Sequence, residues 1–580
     1  MSHSQTPEVM GAPASVFTQV SNAIPISKVL DASRWTRKQY LFLTAGVLIQ
    51  AFMYSFEVNL MYNCLPYVTY TVFKSTSLTA VLPTILQIIS AALVPFYTKV
   101  SDVFGRAQSL TIAMVFYVVG YIIQGTSNSF LQLALGQISY GLGSTGMLTL
   151  TQVLIADTTS LINRGVVFSL WDLPSAVNIF TTNALTDTLT ISPGANWRNV
   201  YIIISVLSTI GAIAVLVPLW YLQKKTQSQG TVIERRSISW LLHEFDAIGA
   251  LLITLSMSLT LLPMILARSF EGNWANPKIL GMFCTGIVCY GLLAFWEVKY
   301  TNRPIMPMRI WTNRTCFGGL VVMFFMTVMA AVNWQYYTAY LMVSRDLTVQ
   351  QALFLERGYQ VAYLIFQLIT GLLMKRFKIL RPFIWVGIII HTVGIGLMIL
   401  ARAPDSHDVF VFLSQTIVGA AGGMANIAAS VAVTGAVERK DIAVLVGVTQ
   451  ILGSFGSAFG GALAGGVWTQ YLPSRLAKHV TGPYDEYAIL NDISVIATLD
   501  SITKGQVIEA YSDSQRLMSI ISLCFAVFTC LCAFLMKHVD LTKDQTEEEE
   551  HSEEVGVAEG KEEYSDAPVD AIEEKRKPSA

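Results

Sequence analysis

Apolar stretches of about 20 residues, separated by short polar breaks, recur along the chain from Tyr40 to Met536. Each has the length an α-helix needs to cross roughly 30 Å of hydrocarbon. Inside lipid every backbone N–H and C=O must be bonded within its own segment, so stretches of this kind read as membrane-spanning helices. The pattern predicts about fourteen, over 40–63, 77–97, 108–126, 130–154, 165–184, 200–222, 246–266, 277–297, 315–340, 350–373, 382–402, 408–433, 442–467 and 516–536. The fold class expected is an all-α integral membrane protein, and transport is the first function to test.

Composition agrees: 53% of the 580 residues are hydrophobic and only 13% charged. The net charge of −1 conceals a segregation. From Glu547 the chain is acidic and almost free of aromatics, apart from Lys575, Arg576 and Lys577, which reads as a disordered tail over 537–580. The opening residues are polar and lack a basic n-region followed by an apolar core, so no cleaved signal peptide is expected. Short segments on one side hold an about threefold excess of Lys and Arg, among them Arg106, Arg164, Lys225, Lys375, Arg376 and Arg381. The positive-inside rule then puts that side, and both chain ends, in the cytosol. One connection is long: Thr469 to Gln515, on the outer side, is either a functional loop or a passive connector. The seven cysteines lie in or beside spans without Cys-x-x-Cys spacing, so neither a disulfide framework nor a protein metal site is expected.

After the second span comes TKVSDVFGR over 98–106. Asp102, Gly105 and Arg106 match the G-x-x-x-D-R-x-G-R-R loop of the major facilitator superfamily, while Thr98, Val103 and Ala107 depart from it. In that family the motif acts as a latch, a helix-end carboxylate facing positive charge or a helix N-terminus of the opposite bundle. A second basic loop, Lys375 to Arg381, follows the tenth span. The two loops fit two six-helix repeats with the seventh and eighth spans inserted between them. The domains expected are 1–39 as a cytosolic segment, 40–222 as the first bundle, 223–314 as linker and inserted helices, 315–536 as the second bundle, and 537–580 as tail.

The arrangement resembles the proton-coupled, fourteen-helix branch of the superfamily. Drug exporters of that branch carry G-x-x-x-G-P-x-x-G-G in the fifth helix, whereas here the stretch reads WDLPSAVNIFTT over 171–182 and keeps only Pro174, which favours uptake. More specifically, IADTTSLINRG over 155–165 resembles the A-D-T-S-S-L-x-x-R-G segment of fungal siderophore-iron transporters. The fragments GQISY from Gly136, NWR from Asn196, FDAIG from Phe245 and NRPIMP from Asn302 fall in order at the corresponding helix ends. The resemblance spans roughly residues 35–540. It implies proton-coupled import of ferric siderophore chelates by alternating access, with haem or glutathione as rival cargo. A drug or cation exporter and a non-transporting nutrient sensor are the remaining alternatives. It implies also that Asp157 and Arg164 belong with Asp102, Gly105 and Arg106 to a cytosolic gate, and that the outer loop helps capture the chelate.

Ionisable residues inside spans mark pathways by default. Glu57, with Gln50, Tyr54 and Met61 at steps of 4, 3 and 4, falls on one helix face and is expected to look into a cavity, where low dielectric favours the protonated carboxyl that coupling needs. The alternative is a structural Glu bonded to a neighbouring helix. Asp172 is the second coupling candidate, beside Trp171 and Asn178 as substrate contacts with Tyr54. Glu356–Arg357 is either a local ion pair or an anion contact. The ninth span ends in NWQYYTAY over 333–340; Asn333, Tyr336, Tyr337 and Tyr340, with Trp334, suit a large polar ligand or else an interfacial aromatic belt. In the outer loop Tyr484, Tyr487 and Tyr511 are the gate candidates. Expected partners are a small-molecule chelate, protons and the lipid bilayer, with no nucleic acid, no cofactor and a monomeric chain. No nucleophile constellation or phosphate loop suggests an enzyme. The location expected is the plasma membrane, multi-pass, or an endosomal or vacuolar membrane.

Overall fold

The computed structural model describes residues 36–73, 81–190, 196–228, 246–267, 273–301, 304–306, 308–437, 442–491, 493–496, 499–537, 539 and 541. The expected N-terminal segment and most of the acidic tail lie outside the described residues. Every regular element among the described residues is helical. In the first half run α1 (Arg37–Phe73), α2 (Val81–Phe104), α3 (Arg106–Gly125), α4 (Phe130–Thr158), α5 (Leu161–Asp172), α6 (Pro174–Thr190) and α7 (Arg198–Ser228). The middle pair is α8 (Ala247–Leu266) and α9 (Pro277–Lys299), followed by the short α10 (Met308–Thr312). The second half holds α11 (Arg314–Trp334), α12 (Tyr337–Arg345), α13 (Val349–Phe377), α14 (Arg381–Ala401), α15 (Asp408–Gly435) and α16 (Ile442–Gly466). It closes with α17 (Leu472–His479), α18 (Glu486–Asn491), α19 (Ile493–Ile496) and α20 (Ser501–Ala533).

Local chemistry sets many of these ends. Pro174, with no N–H to offer, occupies the first position of α6, so α5 and α6 meet in a break at Leu173. Asn276, Asn313 and Thr348 cap α9, α11 and α13, each accepting from a backbone N–H of the first turn. Gly105 joins α2 to α3 at φ 95°, a conformation that a side chain strongly disfavours. Among the described residues ten helical stretches are long and apolar enough to cross a membrane. Helices α4 and α13, each 29 residues long, and the broken α5–α6 are more polar, while α2 keeps an apolar stretch over Leu86–Thr98. These helices line the contact between the halves, and the polar groups used there dilute the apolar signal of α4, α13 and α5–α6.

That contact is reciprocal. The second helix of the first half, α2, packs on the fifth of the second half, α16; the broken fifth passage, α5–α6, packs on the second of the other half, α13. Such exchange is what two repeats related by an axis along the membrane normal produce. The pair α8–α9 packs on itself and lies with α8 against both α2 and α16. Asp246 caps α8 at Gly249 (2.8 Å) and accepts from Trp296 Nε1 of α9 (2.9 Å), while Glu297 accepts from the backbone N–H of Ile305 (3.0 Å).

Three sequence expectations are corrected. The ninth passage is not one helix to Tyr340: it breaks at Gln335–Tyr336, so the aromatic run does not share a face. The stretch 469–515 is not a long loop, because α16 continues through a π turn at Val467–Tyr471 into α17, and α20 already starts at Ser501. Trp468, Leu472 and Leu476 recur every fourth residue and bury with Ile489, Val507 and Tyr511 against Tyr337 and Tyr340, which extends both helices beyond the apolar span. The last helix is therefore Ser501–Ala533, not 516–536.

Candidate functional site

The seam between the halves is closed at its basic end by two glycines. A Cβ on Gly371 of α13 would lie 3.0 Å from the carbonyl oxygen of Gly165 on α5, so only bare backbone allows this approach. One turn on, Ser169 Oγ donates to the carbonyl of Gln367 (3.0 Å). Then Gln367 Nε2 donates to Asp172 Oδ2 across the seam at 2.9 Å, while Gln367 Oε1 is buried without a partner. Farther along, Arg357 Nη2 donates to Asn63 Oδ1 of α1 (3.1 Å). On the other seam Gln450 Nε2 of α16 donates to Gln152 Oε1 of α4 (2.5 Å).

Aromatic rings flank these polar contacts. Tyr54 stacks on Trp171 with centroids 6.3 Å apart, and Trp334 stacks on Tyr359 at 3.8 Å, with Tyr363 next in line at 6.2 Å. The α13 tyrosines are placed by close helix crossing: a Cβ on Gly419 or Gly423 of α15 would lie 2.1 Å from the carbonyl oxygen of Tyr359 or Tyr363. Tyr54, Tyr359 and Tyr363 in mid-helix and Asp172 at the end of α5 all keep accessible surface, as groups lining a space between two bundles do. Tyr54 interacts electrostatically with both Glu57 and Asp172, and Tyr363 with Asp172. The arrangement offers amide, hydroxyl, carboxylate and π surfaces to one large polar ligand, which is how small-molecule sites obtain specificity.

Several expected site residues lie elsewhere. Glu57 does not face the seam. It is wholly buried inside the first half, where Tyr121 Oη of α3 donates to one carboxylate oxygen and Ser208 Oγ of α7 to the other at 2.7 Å. Asn178 is spent on α1, its Nδ2 donating to the carbonyl of Phe52 (2.8 Å) and to Ser55 Oγ (2.6 Å). Asn333 accepts from Ser519 Oγ of α20 at 3.0 Å, within the second half. Tyr337 and Tyr340 are buried around Arg402, whose guanidinium stands 3.9 Å from the Tyr337 ring centroid, and Tyr336 stacks on Trp468 at 4.5 Å. Tyr511 is fully buried, donating to the carbonyl of Ile489 (3.0 Å) and edge-on to Trp468, so it is a core residue and no free gate. Tyr484 packs on the same cluster; the side chain of Tyr487 lies outside the described residues.

The latch residues also make contacts within one half. Arg106 is buried, bonded to Ser101 and paired with Asp157 at 3.1 Å, which ties α2, α3 and α4 of one half together. Arg164 Nη2 donates to the carbonyls of Ala156 (3.2 Å) and Thr159 (3.4 Å), satisfying the end of α4 with a cation. The side chain of Asp102 lies outside the described residues. A hollow of about 440 Å³ lined by Met264, Trp274, Leu463 and Tyr471 sits against the inserted pair and holds none of the expected site residues. No group of three metal-ligating side chains occurs among the described residues.

Asn63, Gln367 and the Gln152–Gln450 pair escaped the sequence reading. A signal existed for Asn63: Ser55, Asn59 and Asn63 recur every fourth residue on α1, and each meets a polar group of α6. A lone glutamine in an apolar helix gives no such pattern.

Two helical halves packed reciprocally around a polar seam define a two-bundle, all-α membrane protein. Residues 47–308 and 315–482 match the Major Facilitator Superfamily, and the chain belongs to that family. It is a multi-pass membrane protein. The chain is 25% identical to the siderophore iron transporter mirC of Emericella nidulans over 90% of this chain and 87% of the relative. It is 26% identical to the siderophore transporter fer7 of Mycosarcoma maydis (83% and 77% covered) and 25% identical to siderophore iron transporter 2 of Schizosaccharomyces pombe (88% and 89%). Among solved structures it is similar in fold to an autoinhibited peptide transporter of the POT family (TM-score 0.52, 13% identity, 87% and 98% covered). A human organic anion transporter, MFSD10, is also similar (TM-score 0.51, 9% identity, 84% and 99% covered).

Proposed function

We propose that this protein imports ferric siderophore chelates across a fungal membrane, by alternating access and with proton coupling. The relatives that match most of its length carry siderophore transport in their names. In this reading the chain crosses the membrane fourteen times as two six-helix halves with α8–α9 inserted, its basic face and both ends are cytosolic, and it works as a monomer in the plasma membrane. The ferric ion is cargo, already wrapped in its chelate.

The observation that carries the mechanism is the Asp172–Gln367 bond between the halves. As a carboxylate, Asp172 accepts only; protonated, it can donate. Gln367 presents a donor and, on its unpartnered Oε1, an acceptor, so a half-turn of the amide lets the same seam bond form in either protonation state. A hydrogen bond to a charged group contributes about 1.5–3 kcal/mol and a neutral one about 0.5–1.5 kcal/mol. Protonation from the outside therefore loosens the seam while the Asp172–Gln367 contact persists, and a loaded chelate completes the change. Glu57, held within one half, is assigned to anchoring α1 to α3 and α7, with Tyr54 between it and Asp172.

The test is uptake by an iron-uptake-deficient yeast expressing the chain, offered ferric siderophores, haemin, glutathione and free iron in separate arms. Growth rescue and labelled-iron accumulation with at least one ferric siderophore, stronger in acid medium, is the expected result. Rescue by haemin alone, or by none of the four with the protein at the cell surface, overturns the reading.

A further inference from the structure

Arg357 stands on α13 where that helix meets α1 of the opposite half, and its side chain is only 5% exposed. A buried guanidinium normally has an acidic partner. Among the described residues its hydrogen bonds go to neutral amides: Nη2 to Asn63 Oδ1 (3.1 Å) and Nη1 to Gln360 Oε1 (2.9 Å). Its Nε is buried with no partner. The adjacent acid, Glu356, is hydrogen-bonded to Thr338 and interacts electrostatically with both Arg357 and Arg402. One carboxylate thus serves two guanidinia, and Arg345, the next cation along, already has Asp408 at 3.2 Å. Counted over Arg345, Arg357, Arg402, Glu356 and Asp408, one positive charge is left over in this cluster.

Tyr62, whose ring centroid lies 5.7 Å from the Arg357 guanidinium, is 54% exposed. The unmet Nε and the Nη2 held by Asn63 form one edge of the guanidinium, the pair of N–H groups that matches the two oxygens of a carboxylate. Asn63 can release Nη2 at small cost, because its own Nδ2 remains bonded to Asn183 Oδ1 (2.7 Å).

We propose that Arg357 is the charge-reading residue of the transport site, selecting ferric chelates that carry a free carboxylate over neutral ones. The inference rests on the reading of the seam as a chelate path. A carboxylate laid on the Nε–Nη2 edge replaces one neutral amide contact with two charge-assisted hydrogen bonds and balances the surplus charge. Lysine, a point charge without the fork, can do only part of this.

The experiment uses the full chain in the iron-uptake-deficient yeast, with two labelled probes: the ferric complex of a neutral trihydroxamate and that of the same scaffold bearing free carboxylates. Wild type is expected to take up the carboxylated complex with the lower KM. At matched surface abundance Arg357→Gln should raise that KM about 10- to 100-fold, the range of a lost charge-assisted contact, and move the neutral complex about twofold or less. Arg357→Lys should fall between, and supplies the comparison if the glutamine variant fails to reach the surface. Equal losses for both probes in either variant, or a wild type without preference between them, overturns the inference while leaving siderophore transport standing. Wild-type uptake of neither probe overturns the inference, while the transport reading stands or falls with the wider panel of siderophores.

Discussion

Asp172→Asn separates cargo binding from proton coupling. Asn keeps the size of the side chain and an oxygen that can accept from Gln367 Nε2, now 2.9 Å from Asp172 Oδ2, so the seam contact persists in its neutral form. The loss is the difference between a charged and a neutral hydrogen bond, about 1 kcal/mol, or about a fivefold shift toward the open seam wherever the wild-type carboxyl is ionised. Too little is lost to prevent folding, so surface abundance should match wild type. With one proton carried per chelate, an outside one pH unit more acid can drive about tenfold accumulation, because one unit is 1.36 kcal/mol per proton. The variant should accumulate to equality, while counterflow exchange of labelled for unlabelled chelate continues. Time courses of iron-labelled chelate at outside pH 5 and 7, with exchange in de-energised cells, measure both. An Asp172→Asn protein that still accumulates cargo as wild type does on acidification would refute the assignment. If Glu57→Gln alone abolishes accumulation, the coupling group is the buried acid of the first half.

Three further outcomes are expected. Glu57→Ala leaves Tyr121 and Ser208 facing a buried void with unmet hydroxyls, at about 1–3 kcal/mol for each, so thermal stability in detergent should fall clearly, whereas Glu57→Gln, which keeps an acceptor, should fall much less. Tyr511→Ala removes a fully buried ring and should lower stability by about 3–5 kcal/mol with poor surface delivery, while Tyr511→Phe, losing only the bond to Ile489, should cost about 1 kcal/mol and transport normally; a stable, inactive Tyr511→Ala would restore the gate reading. Gly371→Leu forces a side chain into the 3.0 Å approach to Gly165 and should hold the basic ends of α5 and α13 apart, seen as a longer spin-label distance between them; an unchanged distance with normal uptake would show that this crossing is not a gate.

Membrane insertion and the all-helical fold were legible because they depend on the solvent. Hydrocarbon demands runs of apolar residues about 20 long, and a run of that length is visible without any knowledge of its neighbours. Motif fragments such as IADTTSLINRG from Ile155 carried the family for a similar reason, being local strings at helix ends. The direction of each polar side chain inside a span was not legible. Glu57 on its four-residue stripe and Asp172 beside a proline looked alike in the sequence, yet one is enclosed by α3 and α7 and the other reaches Gln367, 195 positions away. The outer stretch from Thr469 read as a loop because its helices are too polar for lipid, although Trp468, Leu472, Leu476 and Tyr511 bury against the second half. Hydropathy reports which solvent a segment meets. Only the packing of the two halves decides whether a polar group in that segment turns to its own bundle, where it holds the fold, or to the seam, where it can do work on a cargo.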